Sequence, residues 1–176
     1  MRQGARTTLP TREEVLGLLE YEPGTGALRW RRSAGPVKAG SAAGYVKSHG
    51  YVVVGMWKRL YLAHRLAWLV MTGEWPPEGH EVDHRNRNRS DNRWSNLRLA
   101  TRSQQLMNAG AQSNSRTGVR GVRWCKQTQK WAVQIKRNGK YTTVGRYQEF
   151  DVAVQVRRAA ERDCFGEFAP EHGVSA

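Results

Sequence analysis

A chain of 176 residues holds one ordinary domain or two small ones, and its 39% apolar content with seven Trp argues for packed cores rather than disorder. The formal charge of +14 points to a polyanionic partner, and the apolar stretch Leu66–Met71 is far short of the roughly 20 residues that a membrane span needs. Cys125 and Cys164 supply neither a disulfide framework nor a Cys-rich zinc site, and MRQGARTTLPTREE lacks the apolar centre of a signal peptide, so the chain reads as cytosolic with no membrane partner.

TREEVLGLLE at 11–20 reads as a short helix, with Thr11 as its cap, Glu13 and Glu14 in the first turn and Val15, Leu16, Leu18 and Leu19 as its apolar face. PGTG at 23–26 is a turn and ALRW after it a short strand, while residues 33–43 have the Gly, Ala and Ser content of a loop. GYVVVG (50–55) and RLYLAH (59–64), separated by Met56, Trp57 and Lys58, predict a β-hairpin. An apolar helix over His64–Thr72 follows, closed by Gly73 and Pro76–Pro77. EVDH enters an Arg/Asn-rich loop as a strand, NLRLAT (96–101) returns as another, and Thr101 or Ser103 caps a helix to about Asn108. The polar stretch 109–118 marks a linker. Beyond it GVRGVRW, KWAVQIKR and KYTTVGRY alternate as three strands, with turns at Gln127–Gln129 and Asn138–Gly139, before a helix over 149–164 that stops near Gly166.

The charge is unevenly placed. Between Asp91 and Glu149 there is no acidic residue, while Arg93 to Arg146 includes twelve Lys or Arg. A solvated surface mixes signs, so a one-sign block of this length predicts a phosphate-binding surface and favours nucleic acid as the partner.

Asp83–His84 opens an ordered array: VDH, SDN at 90–92, NLRLAT and QQLMN at 104–108. With YEPGTG, AHRLAWLVMTGEWP and EVDHRNRNRSDNRWSNLRLATRSQ, the array resembles the HNH endonucleases of phage and mobile elements, of the homing type, over most of residues 11–108. The resemblance implies a ββα-metal (His-Me finger) core over about 80–108. His84 would be the general base, because an imidazole accepts a water proton at neutral pH. Asp83 would bind a hard divalent cation, Mg²⁺ above all with Mn²⁺ as the alternative. Neighbouring strand side chains point to opposite faces, so both can serve one site only at a strand end or kink. Asn96 would tie the loop and orient the imidazole, with Asn92 an alternative for fixing the same loop. The family has Asn where this chain has Gln105, so the second metal ligand is Gln105 or, one turn on, Asn108. Arg85, Arg87, Arg89 and Arg93 read either as phosphate clamps or as a solvated loop. His64 reads as a hydrogen-bonded structural histidine.

Residues 115–168 resemble the DNA-binding domain of plant ethylene-responsive factors, the apetala type, through GVRGVRW, KWAVQI, the GKY–VGRY pair and FGEFA. The implied fold is a small three-stranded antiparallel sheet packed on one helix. The alternation independently sets Trp131, Val133 and Ile135 against Ala153, Val156 and Ala160, with Gln134 and Lys136 on the other face. By resemblance Arg120, Gly121, Arg123, Gln134, Lys136, Tyr141 and Thr143 are DNA contacts, and Arg120 and Arg123 the foremost base readers. Tyr141 and Thr143 replace the family's usual Arg and Trp, so no sequence preference carries over. Trp124 is left open between packing and DNA contact.

The expectation is therefore an α+β chain with a nuclease domain at 11–108 and a DNA-binding domain at 115–168. It would hydrolyse phosphodiester bonds in double-stranded DNA in a bacterial host, as the product of a phage or mobile element. The alternative is a DNA-binding regulator with a decayed nuclease site.

Overall fold

The computed structural model describes residues 8–111, 115–137 and 139–170. By internal contacts it divides into two compact units, Met1–Arg102 and Ser103–Ala176, and both mix helix and strand, so the chain is α+β.

In the first unit α1 (Arg12–Leu18) starts on a complete capping box: Glu14 N–H donates to Thr11 Oγ1 and Thr11 N–H to Glu14 Oε2. The helix stops two residues earlier than its apolar pattern suggests. Leu19–Glu22 forms strand β1, antiparallel to β2 (Ala27–Trp30) with Leu19 opposite Trp30. The signal was present in LEYE, whose period of two buries Leu19 and Tyr21 and exposes both Glu. The PGTG turn closes this hairpin, Gly26 N–H donating to Glu22 O.

Strand β3 (Tyr45–Val46), which the sequence reading did not foresee, pairs with β4 (Val52–Met56), and β4 pairs with β5 (Arg59–Leu62). Trp57 and Lys58 turn the β4–β5 hairpin with φ of 49° and 60°, as a two-residue turn requires. The Trp57 ring stands edge-on to Tyr61 at 6.1 Å, which pins a conformation unusual for side chains of this size. Helix α2 (Ala63–Thr72) follows at once and ends on Gly73 in the left-handed region. Val15, Leu19, Val54, Leu66 and Leu69 are fully buried in one core, each contributing about 1.5–3 kcal/mol by burial. Strands β6 (His80–His84) and β7 (Leu97–Thr101) pair antiparallel, with Asp83 opposite Arg98 and His84 opposite Leu97. Helix α3 (Arg102–Asn108) begins directly after β7. The division between units falls within α3, after its first residue, at Arg102/Ser103.

In the second unit β8 (Val122–Cys125), β9 (Lys130–Arg137) and β10 (Lys140–Tyr147) form an antiparallel sheet in the order β10-β9-β8. Helix α4 (Phe150–Phe165) covers one face, burying Val122, Val133 and Ala153 with Trp131, Tyr147, Phe150 and Val156 around them. Of the supposed linker, residues 112–114 lie outside the described residues. Residues 115–118 belong to the sheet unit, since Thr117 Oγ1 lies 3.0 Å from Val119 O and 3.1 Å from Val122 O. Asn138, half of the predicted β9–β10 turn, also lies outside the described residues. Among the described residues no helix is long and apolar enough to cross a membrane.

Candidate active site and nucleic-acid interface

His84 is the last residue of β6, buried beside Leu97 on the core side of the β6–β7 pair. Its Nε2 lies 3.3 Å from Asn92 Oδ1, and Asn92 Nδ2 donates to Ser90 O at 3.2 Å. That second bond fixes which end of the amide faces the imidazole. An amide oxygen only accepts, so Nε2 carries the proton and the lone pair sits on Nδ1. Burial pushes the His84 pKa below its usual range, and the Asn92 hydrogen bond and the carboxylates of Asp83 and Asp91 pull it only partly back. His84 is therefore an uncharged imidazole of defined tautomer at neutral pH.

The residues that hold it form two shells. The His64 ring lies edge-on to His84 at 4.9 Å, and Tyr51 faces both, at 5.2 Å from His64 and 6.0 Å from His84. Burial, His84 and Arg65 bring the His64 pKa down to about 3. The hydrogen bond expected of His64 is not made at Nδ1, which is buried without a hydrogen-bond partner among the described residues. Behind Asn92 stands the β1–β2 hairpin. Tyr21 Oη donates to Asn92 O at 2.8 Å and Trp94 N–H to Pro23 O at 3.0 Å. At Gly26, with φ of +76°, a Cβ would lie 2.4 Å from the Arg93 nitrogen, so only glycine lets the turn meet this backbone. Burial and the nearby Asp91 raise the Tyr21 phenol to about 12, keeping it a donor.

Asn96 closes the loop between β6 and β7 from both sides. Its Oδ1 accepts from Asn86 N–H at 3.0 Å and its Nδ2 donates to Asp91 O at 2.7 Å. Asp91 in turn accepts from Asn86 Nδ2 at 2.7 Å and Arg93 Nε at 2.8 Å, and this pairing with Arg93 lowers its carboxyl pKa to about 2. Asn96 thus ties the loop, while Asn92 is the amide against the imidazole. The loop arginines differ in use. Arg93 pairs with Asp91. Arg89 stacks over Tyr51 at 4.8 Å and donates to His49 O at 3.0 Å. Arg87 makes the turn directly after the strand, with φ of 64° and its N–H on His84 O, and Arg85 N–H donates to Asn96 O.

Asp83 stands on the other face of β6 from His84, as strand alternation dictates, one residue from the strand end. Its Oδ2 accepts from Arg98 Nε at 3.1 Å and Nη2 at 3.0 Å. Sequence reasoning passed over Arg98 because its pairing depends on the β6–β7 register. Gln105 is half-buried and Asn108 buried on α3. Among the described residues no three His, Cys, Asp or Glu side chains gather as a metal site. The donor chemistry still suits a hard cation, since a carboxylate and side-chain amides offer oxygen ligands.

In the second unit one face of the sheet is open. Pairing places Arg123 and Arg146 opposite Ala132, Thr143 opposite Gln134 and Tyr141 opposite Lys136. Arg123 Nε lies 3.3 Å from Gln134 Oε1, Gln134 Nε2 lies 3.4 Å from Thr143 Oγ1, and the Lys136 ammonium sits 5.2 Å over the Tyr141 ring. The register thus gathers five of the seven predicted contacts and adds Arg146. The other two have different surroundings. Gly121 has φ of +76°, and its absent Cβ would meet Gln134 O and Arg157 Nε. Arg120, expected to read bases, turns its guanidinium to the carbonyls of Leu106 and Ala109. Trp124 is exposed, with its ring 5.0 Å from that of Trp131, which lies 4.8 Å from Phe150.

A strand (β6), a tied loop, a second strand (β7) and a helix (α3) follow one another in chain order over His80–Asn108. Residues 61–107 match the family model described as HNH endonuclease. The chain is 29% identical over 130 residues to an uncharacterized HNH endonuclease of Acanthamoeba polyphaga mimivirus, covering 74% of this chain and 66% of that protein, just under two thirds. It is 26% identical over 116 residues to Protein 3.8 of Escherichia phage T7, covering 64% of this chain and 94% of the phage protein. A solved structure on DNA binding and cleavage by the HNH homing endonuclease I-HmuI is similar at 22% identity and a TM-score of 0.42, over 79% of this chain and 76% of that one.

Proposed function

We propose that the protein is a metal-dependent endonuclease of the homing type, hydrolysing phosphodiester bonds in double-stranded DNA. The carrying observation is His84: a buried, uncharged imidazole whose tautomer Asn92 fixes, beside Asp83 in the segment that matches the HNH endonuclease family. His84 Nδ1 takes the proton of the attacking water as general base. Asn96 keeps the loop closed so that the imidazole and its amide hold their places. Asp83, with Gln105 or Asn108 from α3, would hold the divalent cation, most suitably Mg²⁺. When bound, that ion supplies charge stabilisation for the phosphate and the leaving oxygen. Arg98, on Asp83 Oδ2, orients the carboxylate. Arg85 and Arg87, at the loop's start, are the phosphate clamps of this reading, and Arg89 and Arg93 support the loop.

The sheet face of Arg123, Gln134, Lys136, Tyr141, Thr143 and Arg146 is the DNA-holding surface, in the manner of the apetala-type domain. It belongs to the acid-free block of the sequence, so phosphates meet no carboxylate there. One base and one ion cut one strand, and a single copy is expected to nick.

The test is relaxation of supercoiled plasmid in Mg²⁺ or Mn²⁺. The protein is expected to nick, and His84→Ala to lose about 10²–10⁴-fold in rate while binding the plasmid as before. Binding without cleavage in any divalent metal favours a regulator with a decayed site.

A further inference from the structure

We infer that Arg120 is a positioning residue for the helix that carries the second metal ligand, acting through a clamp built into the sheet unit. The inference rests on the proposed role of Gln105 or Asn108. Helix α3 has only seven residues, too few to be stable alone, and its last carbonyls have no partner within the helix. The Arg120 guanidinium supplies one: Nη1 donates to Leu106 O and, at 3.1 Å, to Ala109 O. Leu106 follows directly on Gln105, and Ala109 directly on Asn108. A cation at a helix carbonyl end also complements its dipole.

Arg120 is itself held from behind. Its carbonyl accepts from Arg157 Nε at 2.8 Å, and Arg157 is buried on α4 in an ion pair with Glu161 at 2.9 Å. The next residue, Gly121, is pressed so close to β9 and α4 that a Cβ would lie 2.3 Å from Gln134 O and 2.9 Å from Arg157 Nε. From Glu161 through Arg157 and the Arg120 backbone to its guanidinium, a continuous polar chain ends on α3. The unit proposed to hold DNA therefore also sets the carbonyl end of the metal-binding helix, and the arginine expected to read bases does this instead.

The experiment uses the full-length protein and its Arg120→Gln and Arg120→Lys variants. Four quantities are measured: Mn²⁺ binding by electron paramagnetic resonance, amide exchange over residues 103–110, duplex affinity in EDTA, and nicking rate against Mg²⁺ concentration. Arg120→Gln is expected to weaken Mn²⁺ binding about tenfold and raise the Mg²⁺ requirement about equally. Its α3 amides should exchange at least about tenfold faster, while duplex affinity in EDTA stays within about twofold. Arg120→Lys keeps the charge but not the fork, and should fall between; it serves alone if the Gln variant does not fold. Lower duplex affinity with Mn²⁺ binding and Mg²⁺ dependence unchanged would make Arg120 a DNA reader and overturn the clamp. Variants equal to an active parent in all four overturn the clamp alone. A parent that neither binds Mn²⁺ nor nicks overturns the nuclease reading and the clamp with it.

Discussion

The β6–β7 site and the open sheet face are both polar, yet they are built on opposite plans. Around His84 each amide has a fixed use: Asn92 on the imidazole, Asn96 across the loop, and Tyr21 and the Gly26 turn behind them. On the sheet Arg123, Lys136, Tyr141 and Thr143 are exposed and joined only by long side-chain contacts. Proton transfer demands fixed geometry and a low-dielectric setting, so a small displacement is costly. Phosphate binding sums many weak, screened contributions, and its side chains gain from staying accessible.

The sharpest way to break that contrast is at Gly26, far in sequence from His84. Gly26→Ala would push a Cβ into the Asn92–Arg93 backbone, and a shift of about 1 Å there should cost about 10²-fold in cleavage of bound DNA. Duplex affinity measured in EDTA should not change, and equal losses in both would erase the distinction between the regions. A smaller effect is expected on the sheet. Lys136→Ala should lower the slope of log affinity against log salt by about one and leave the rate of bound complex unchanged. Fluorescence anisotropy across a salt series measures the slope.

The smallest effect is a pH dependence. The carboxyl of Asp91 is held at about 2 against an ordinary value of 3.8, chiefly by Arg93. A depressed folded value means that stabilisation is complete above the ordinary value and fades as pH falls towards about 2. Amide resonances of residues 86–96 should shift over that window, and in Asp91→Asn they should not follow it.

Much of this was legible in one dimension. Thr11 with Glu14, the strand alternation of residues 122–147 and the VDH–NLRLAT order each encode a local geometry that reads directly from residue types. What the sequence hides lies where partners are distant. Arg98 meets Asp83 only through the β6–β7 register, and Tyr51 reaches the two histidines only through the fold of the first unit. Arg120 shares its strand pattern with Arg123 and the other expected DNA contacts, which is why the sequence sets it among the base readers. Its carbonyl partners, Leu106 and Ala109, offer no side-chain signal at all. LEYE was lost to its neighbour, since an apolar run continuing from α1 masks a period of two.

The account stands on His84 as the proton acceptor, and chemical rescue tests that most directly. In single-turnover cleavage of a labelled duplex with Mg²⁺, His84→Gly should be nearly inert and should regain activity in proportion to added imidazole. A variant that cuts as fast as its parent, or that stays inert at every imidazole concentration while its parent cuts, would contradict it.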